Sequence, residues 1–340
     1  MRTTILLWLA LALTLPTNAQ VKKVKIPDIP GYVTLKGDFH IHTVFSDGNV
    51  WPTVRIDEAV AEGVDVIAIT DHIEYRPHLS DIPSDHNRSY DIAKPEADKN
   101  NIILVKGTEI TRSMPPGHFN ALFISDAAAL AKDDFKAVVK EAKKQGAFII
   151  WNHPGWKAQQ PDTTKWWDIH TWLYDNQMLN GIEIYNEKEY YPIVFDWAIQ
   201  KKITIFANSD IHGPTSPFYN IYQSHRPLTL VFAKERNEVG VKDALFDGRS
   251  VAFTDNMVRG KEEWLKPLFE ACIKVVKKGS KTELTNLSGI DFELEDISGS
   301  VAKTISLQGE GSTVITSSKP IKIKVKNFEI SPDKYLEVTL

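Results

Sequence analysis

The stretch AVAEGVDVIAIT, Ala59–Thr70, decides how the chain is built. Its first four residues close an amphipathic segment, 53–62, and Gly63 follows. Glycine takes the left-handed turn that ends a helix at little cost. Val64–Ile69 is then almost continuously apolar, broken only by Asp65. Strict apolar–polar alternation would mark a strand with one wet face. A nearly unbroken apolar run marks a strand covered on both faces, as in a parallel sheet between helices. Helix running straight into buried strand is the repeating unit of an α/β fold.

The same alternation extends outward from about Leu35 to Phe253. Strands are predicted over 35–42, 64–71, 103–110, 118–124, 147–153, 181–185, 203–210 and 228–232. Helices are predicted over 53–62, 133–145, 164–178, 190–201 and 236–246. One block of this kind predicts an α/β barrel or a doubly wound sheet. From about Lys274 the texture changes. KIKVKNF, Lys322–Phe328, alternates strictly, and SGS and GEGS punctuate other short runs. This predicts a small all-β, sandwich-like domain over 274–340, joined to the α/β domain by a helical connection over 261–273.

The first 19 residues read as a secretory signal. Arg2 precedes an apolar run from Ile5 to Leu15, Pro16 breaks it, and small or polar residues lead to Ala19. The run is shorter than the ~20 residues that cross a bilayer, so no stable membrane span is expected after cleavage. The α/β domain then occupies 20–260, and the protein is exported, periplasmic or secreted. A single cysteine, Cys272, excludes an internal disulfide. A net charge of −4 with no basic arm argues against duplex nucleic acid as a partner.

Strand ends carry an unusual set of side chains. GDFHIHTVFSDG, Gly37–Gly48, places His40 and His42 two apart, hence on one strand face, and turns at once into Asp47. ITDH places His72 just past the next strand, GTEI places Glu109, PGHFN places His118 at a strand start and WNHPG places His153. NSDIH places Asp210 and His212 as a second pair two apart. Each has a plainer reading: Asp47 as a turn former, His118 as a satisfied buried histidine. Independent capping does not explain why the residues chosen are so consistently imidazole or carboxylate, and the set is a metal-ligand constellation. Arg112 and Arg226 are candidates to contact a phosphate oxygen, against plain structural roles for both.

DFHIHTVFSDG, ITDH, GTEI, NHP and SDIH, in this order, resemble the PHP (polymerase and histidinol phosphatase) family over roughly Leu35–Phe253. With its signal-like start and β-rich tail, the chain is similar to the secreted Sb-PDE-type phosphodiesterases. The resemblance implies a distorted (β/α)7 barrel with two to three divalent metal ions (Zn, Mn or Fe) at the strand ends. One ion would take His40, His42, Glu109 and Asp210. A second would share Glu109 and add His118 and His153, with Asn120 as the fallback for His118. The third would take Asp47, His72 and His212. It further implies a phosphodiesterase acting on a small phosphate ester through a metal-bridging hydroxide, with Glu109, Asp210 and His212 in catalytic roles. Histidinol-phosphatase-like or nucleotide phosphomonoesterase activity is the rival enzyme reading, and a non-catalytic metal-loaded binding protein is the rival of another class.

Overall fold

A computed structural model describes residues 21–301 and 304–340; the signal-like segment lies outside them. Its strands are β1 (Val33–Ile41), β2 (Val66–Ile69), β3 (Ile103–Ile110), β4 (Phe119–Leu122), β5 (Phe148–Trp151), β6 (Gly181–Asn186), β7 (Glu189–Tyr190), β8 (Thr204–Asn208), β9 (Leu228–Ala233), β10 (Ser250–Thr254) and β11 (Met257–Arg259). The C-terminal strands are β12 (Ile273–Lys278), β13 (Lys281–Asn286), β14 (Phe292–Asp296), β15 (Thr304–Leu307), β16 (Ser312–Thr316), β17 (Lys322–Ser331) and β18 (Lys334–Thr339). The helices are α1 (Pro52–Glu62), α2 (Arg88–Lys99), α3 (Phe135–Lys144), α4 (Asp168–Asp175), α5 (Pro192–Lys201), α6 (Thr215–Phe218), α7 (Glu238–Phe246) and α8 (Glu262–Cys272). No helix among the described residues is long and apolar enough to cross a membrane.

The stretch that opens the sequence reading folds as expected. Pro52 starts α1 at a position whose N–H needs no partner. Gly63 ends it at φ +69, its N–H reaching the carbonyls of Ala59 and Val60. β2 then runs with all four residues buried, parallel to β1 and to β3.

The strand circle departs from a regular parallel barrel in two places. β4 is antiparallel to both β3 and β5, so its first residues sit beside their last ones. That reversal brings His118, at the start of a strand, to the same rim as the strand ends. The second departure corrects the distorted (β/α)7 barrel that the resemblance implies, since the circle of strands does not close. β6 pairs with β8 in parallel, but β8 has no backbone ladder to β1. β1 instead pairs with β9, antiparallel from Val33 to Gly37, and the sheet continues through β10 and β11. Across the gap the links are one bridge, Ile41 to Ile211, and side chains. Asn208 Oδ1 accepts the Phe39 N–H at 2.9 Å, and Asp38 accepts the Ser209 N–H at 3.1 Å and its hydroxyl at 2.5 Å.

In the tail, β12, β13 and β16 form a three-stranded sheet, while β14, β15, β17 and β18 form the far end of the main sheet. β17 joins it through β11 at Val258–Phe328 and Arg259–Glu329. Leu284 and Ile315 from the small sheet share one apolar cluster with Phe292, Val325 and Phe328 from the large one, and with Phe269 of α8. That cluster also contains Leu230 and Phe253 from beneath the α/β part, so tail and α/β part bury apolar surface together.

Candidate metal centre

The site grows out of the β1 rim. His40 and His42 point to the same side and are fully buried. His40 Nε2 lies 3.1 Å from Asp210 Oδ1 and 3.5 Å from Glu109 Oε2; His42 Nε2 lies 2.9 and 3.4 Å from the same two atoms. None of these four atoms is placed for a hydrogen bond. Only six buried side-chain nitrogen or oxygen atoms lack such a partner among the described residues. Four of them are these donors, and the other two are the indole N–H groups of Trp151 and Trp264. Buried polar atoms left unpaired are costly, so four aimed at one point call for an ion between them. The donor set, two imidazoles and two carboxylates, fits a divalent metal.

Two further groups have donor atoms within 4.8 Å of one another: His40, Glu109 and His153, and His42, Asp47, His72 and His212. The second answers how Asp47 returns to the rim. Asp71 accepts the Thr43 N–H at 2.7 Å, the Thr43 hydroxyl at 2.8 Å and the Ser46 hydroxyl at 2.8 Å, folding the loop back. Gly48 completes the turn where a Cβ would lie 2.7 Å from Thr43 N and 2.8 Å from His42 C, so only glycine fits. Asp47 Oδ1 ends 3.3 Å from His212 Nε2 and 3.5 Å from His72 Nε2.

The grouping differs from the one the resemblance implies. His42 faces the Asp47 group as well as the first one. His118 touches Glu109 Oε1 through Nδ1 at 3.1 Å, but its Nε2 meets Gln159 at 3.0 Å and it joins none of the converging groups. Asn120 is turned away, its amide on the Phe39 carbonyl and its oxygen on Asn152.

Sequence reasoning missed the residues that hold these donors. Glu183, fully buried in β6, accepts from His40 Nδ1 at 2.9 Å, Asn208 at 2.8 Å, Asn186 at 2.8 Å and the His153 N–H at 2.7 Å. A proton on His40 Nδ1 leaves Nε2 as the lone-pair atom facing the cluster. His212 is set the same way by the Asp210 carbonyl, 2.7 Å from its Nδ1. Arg55, fully buried on α1, donates to the carbonyls of His42, Ile211, His212 and Gly213 at 2.9–3.1 Å, tying the His40/His42 and Asp210/His212 segments together across the open seam. A charged residue inside an apolar strand (Glu183, between Ile182 and Ile184) or on the buried stripe of a helix (Arg55, beside Ile56 and Ala59) is the signal that marks them. His153 and Asp210 both sit at positive φ, +30 and +50, conformations that non-glycine residues hold only where their surroundings enforce them.

The arginines named from sequence lie elsewhere. Arg226 does not reach the cleft. It is fully buried, bound to Glu62 at 2.9 and 2.5 Å, Asp38 at 3.1 Å and Thr215 at 3.0 Å. Its guanidinium is spent on structure. Arg112 is engaged by Glu74 and by the carbonyls of Thr111 and Lys132.

The electrostatics point to a cation site. Burial alone would lower the His72 pKa, but the Glu109 and Asp47 carboxylates raise it to about 10. Burial opposes charge on His40 too, yet Asp210, Glu183 and Glu109 lift it well above the ordinary range. Burial likewise disfavours charge on Glu109, and His72, His40 and His118 override it, holding the carboxyl well below its usual range. His42 goes the other way, lowered to about 4 by burial and by His72 and His212. The cluster therefore demands positive charge, and protons supply it when nothing else does.

A model of the PHP domain matches residues 38–338. The chain belongs to the PHP domain family. It is 43% identical, with a TM-score of 0.90, to a two-domain protein from Bacteroides vulgatus ATCC 8482 described as containing a predicted PHP-like metal-dependent phosphoesterase. That match covers 94% of this chain and 98% of the other. PsfC from Pseudomonas syringae PB-5123 is a looser likeness at 13% identity and TM-score 0.47, covering 70% of this PHP chain and 96% of its own. None of the curated proteins matches the sequence.

Proposed function

We propose that this PHP-family chain is a metal-dependent phosphoesterase, a hydrolase of phosphoric esters, and that its substrate is a phosphate diester. The observation that carries the reading is the set of four buried, unpaired donor atoms on His40, His42, Glu109 and Asp210, of which Glu109 and Asp210 line the cleft. Divalent ions there would neutralise phosphate charge and bring the pKa of bound water toward ~7. The imidazole-rich set suits Zn, Mn or Fe better than Mg, and the donor groups support two to three ions. Glu183 and the Asp210 carbonyl keep the His40 and His212 lone pairs inward. The His212 side chain is 33% exposed and lines the cleft, so this donor stands on its open side.

The diester preference is supported by what lines the cleft: among the described residues, no Lys or Arg does. A monoester's second negative charge would find no side-chain cation there, whereas a diester carries one charge. The signal-like pattern of 1–19 supports export, and the shared apolar cluster supports a buttressing role for 274–340. Metal-loaded protein assayed on p-nitrophenyl phosphate beside bis(p-nitrophenyl) phosphate tests the reading. Faster turnover of the diester is expected. Clear preference for the monoester would overturn the diester assignment, and no turnover of either would overturn the esterase reading.

A further inference from the structure

We propose that the diester carries a cationic ammonium arm, received by Glu187, Glu189 and the ring of Trp156. The inference rests on the diester reading above and adds the chemistry of one ester arm. The cleft, about 270 Å³, is walled beyond the metal donors by Trp156, Asn186, Glu187, Glu189 and Tyr191. Trp156 is 41% exposed, and its ring centroid lies 5.8 Å from that of His118 and 5.3 Å from that of His153, so an exposed indole stands beside the donors.

Glu187 is half-buried, and its carboxylate has no ion pair or side-chain hydrogen bond among the described residues. Its backbone is nonetheless pinned, the N–H on the Asn208 carbonyl at 3.2 Å and the carbonyl taking the Tyr219 hydroxyl at 3.3 Å. The turn between β6 and β7 thus presents a carboxylate with no side-chain partner of its own among the described residues, acted on at longer range by His212, His153 and His40. The Glu189 side chain, across that turn, accepts only the Tyr191 hydroxyl among the described residues, at 3.0 Å. The basic side chains nearby are turned to other partners. Lys188, between the two glutamates, lies over the Phe218 ring at 4.2 Å, Arg112 is held by Glu74, and Arg226 is buried.

Two carboxylates beyond the metal donors make this end of the cleft a poor host for a second phosphate, which disfavours nucleotide chains. It is a good host for an arm of opposite charge. An ammonium or trimethylammonium group gains from both carboxylates and from the face of an indole, the strongest aromatic partner for a cation. A hydroxyl-rich arm such as glycerol would use the same side chains without using their charge, and the test separates the two.

The metal-loaded full chain is assayed on p-nitrophenyl phosphorylcholine, on the uncharged isostere p-nitrophenyl 3,3-dimethylbutyl phosphate, and on the glycerol ester of p-nitrophenyl phosphate. The choline ester should exceed the isostere by about tenfold in kcat/KM, in line with one partly desolvated cation contact. In the double variant Glu187→Gln, Glu189→Gln that ratio should fall toward one, through KM. Equal turnover of choline ester and isostere by the wild-type protein would overturn the inference, as would preference for the glycerol ester or an unchanged ratio in the variant. In each of those cases hydrolysis of the diesters leaves the diester reading standing. Hydrolysis of none of them, nor of bis(p-nitrophenyl) phosphate, would overturn both.

Discussion

Glu183→Gln isolates the tautomer argument. The glutamate accepts four hydrogen bonds, two on each oxygen: His40 Nδ1 and Asn208 on one, the His153 N–H and Asn186 on the other. A glutamine has one oxygen and one NH2, so either orientation sets a donor against donors. With NH2 toward His153, two buried donors lose their acceptor at roughly 1–3 kcal/mol each. With NH2 toward His40, the imidazole must accept at Nδ1, which moves its proton to Nε2 and removes the lone pair from the cluster. Loss of such an outer partner typically costs about 10–100-fold in metal affinity. We expect that loss, measured by equilibrium competition with a chromogenic chelator, alongside a drop of about 2 kcal/mol or more in urea unfolding of the metal-free protein. Metal affinity within threefold of wild type would refute the reasoning. Lowered stability with unchanged affinity would reduce Glu183 to a packing role.

Gly48→Ala should displace the loop that returns Asp47, since the added methyl meets backbone at 2.7 Å; metal analysis should show one equivalent lost, and full stoichiometry would count against a ligand role for Asp47. Arg226→Met leaves Asp38 and Glu62 buried without their counter-charge and should cost about 3–5 kcal/mol, with KM of the folded enzyme unchanged. A raised KM at unchanged stability would restore Arg226 to substrate binding. In the metal-free protein, the His72 pKa of about 10 against ~6.5 unfolded means that its charged form stabilises the fold; that contribution is complete below pH ~6.5 and is lost as the pH rises through about 10. Metal binding at pH 7 should therefore expel the His72 proton, visible as a buffer-dependent enthalpy in titration calorimetry, and a buffer-independent enthalpy contradicts that assignment.

The donors were legible because their chemistry is written in residue type and in place along the chain. His40 with His42, and Asp210 with His212, share a face by the strand's period of two, whatever surrounds them. The α/β pattern was legible for the same reason: Gly63 before Val64–Ile69 reads as helix end and buried strand without tertiary knowledge. The strand β3 lies at its predicted bounds, 103–110. Helix α2, Arg88–Lys99, was not read, because Pro95 lies inside it and its apolar face is narrow, with only Ser89, Ala93 and Ala97 buried.

What the sequence determined alone is the set of candidate donor side chains and the alternation that carries them to strand ends, since both depend on local periodicity. Only the tertiary structure decided how they are used. The reversal of β4, which brings His118 to the rim, and the open seam between β8 and β1 arise from pairings between distant segments. The roles of Glu183, Arg55 and Arg226 depend on which partners burial brings within hydrogen-bond reach. A lone carboxylate or guanidinium in a sequence carries charge but no address, and the fold supplied the address: Glu183 to His40, Arg55 to the carbonyls of His42 and His212, and Arg226 to Asp38 rather than to a substrate phosphate.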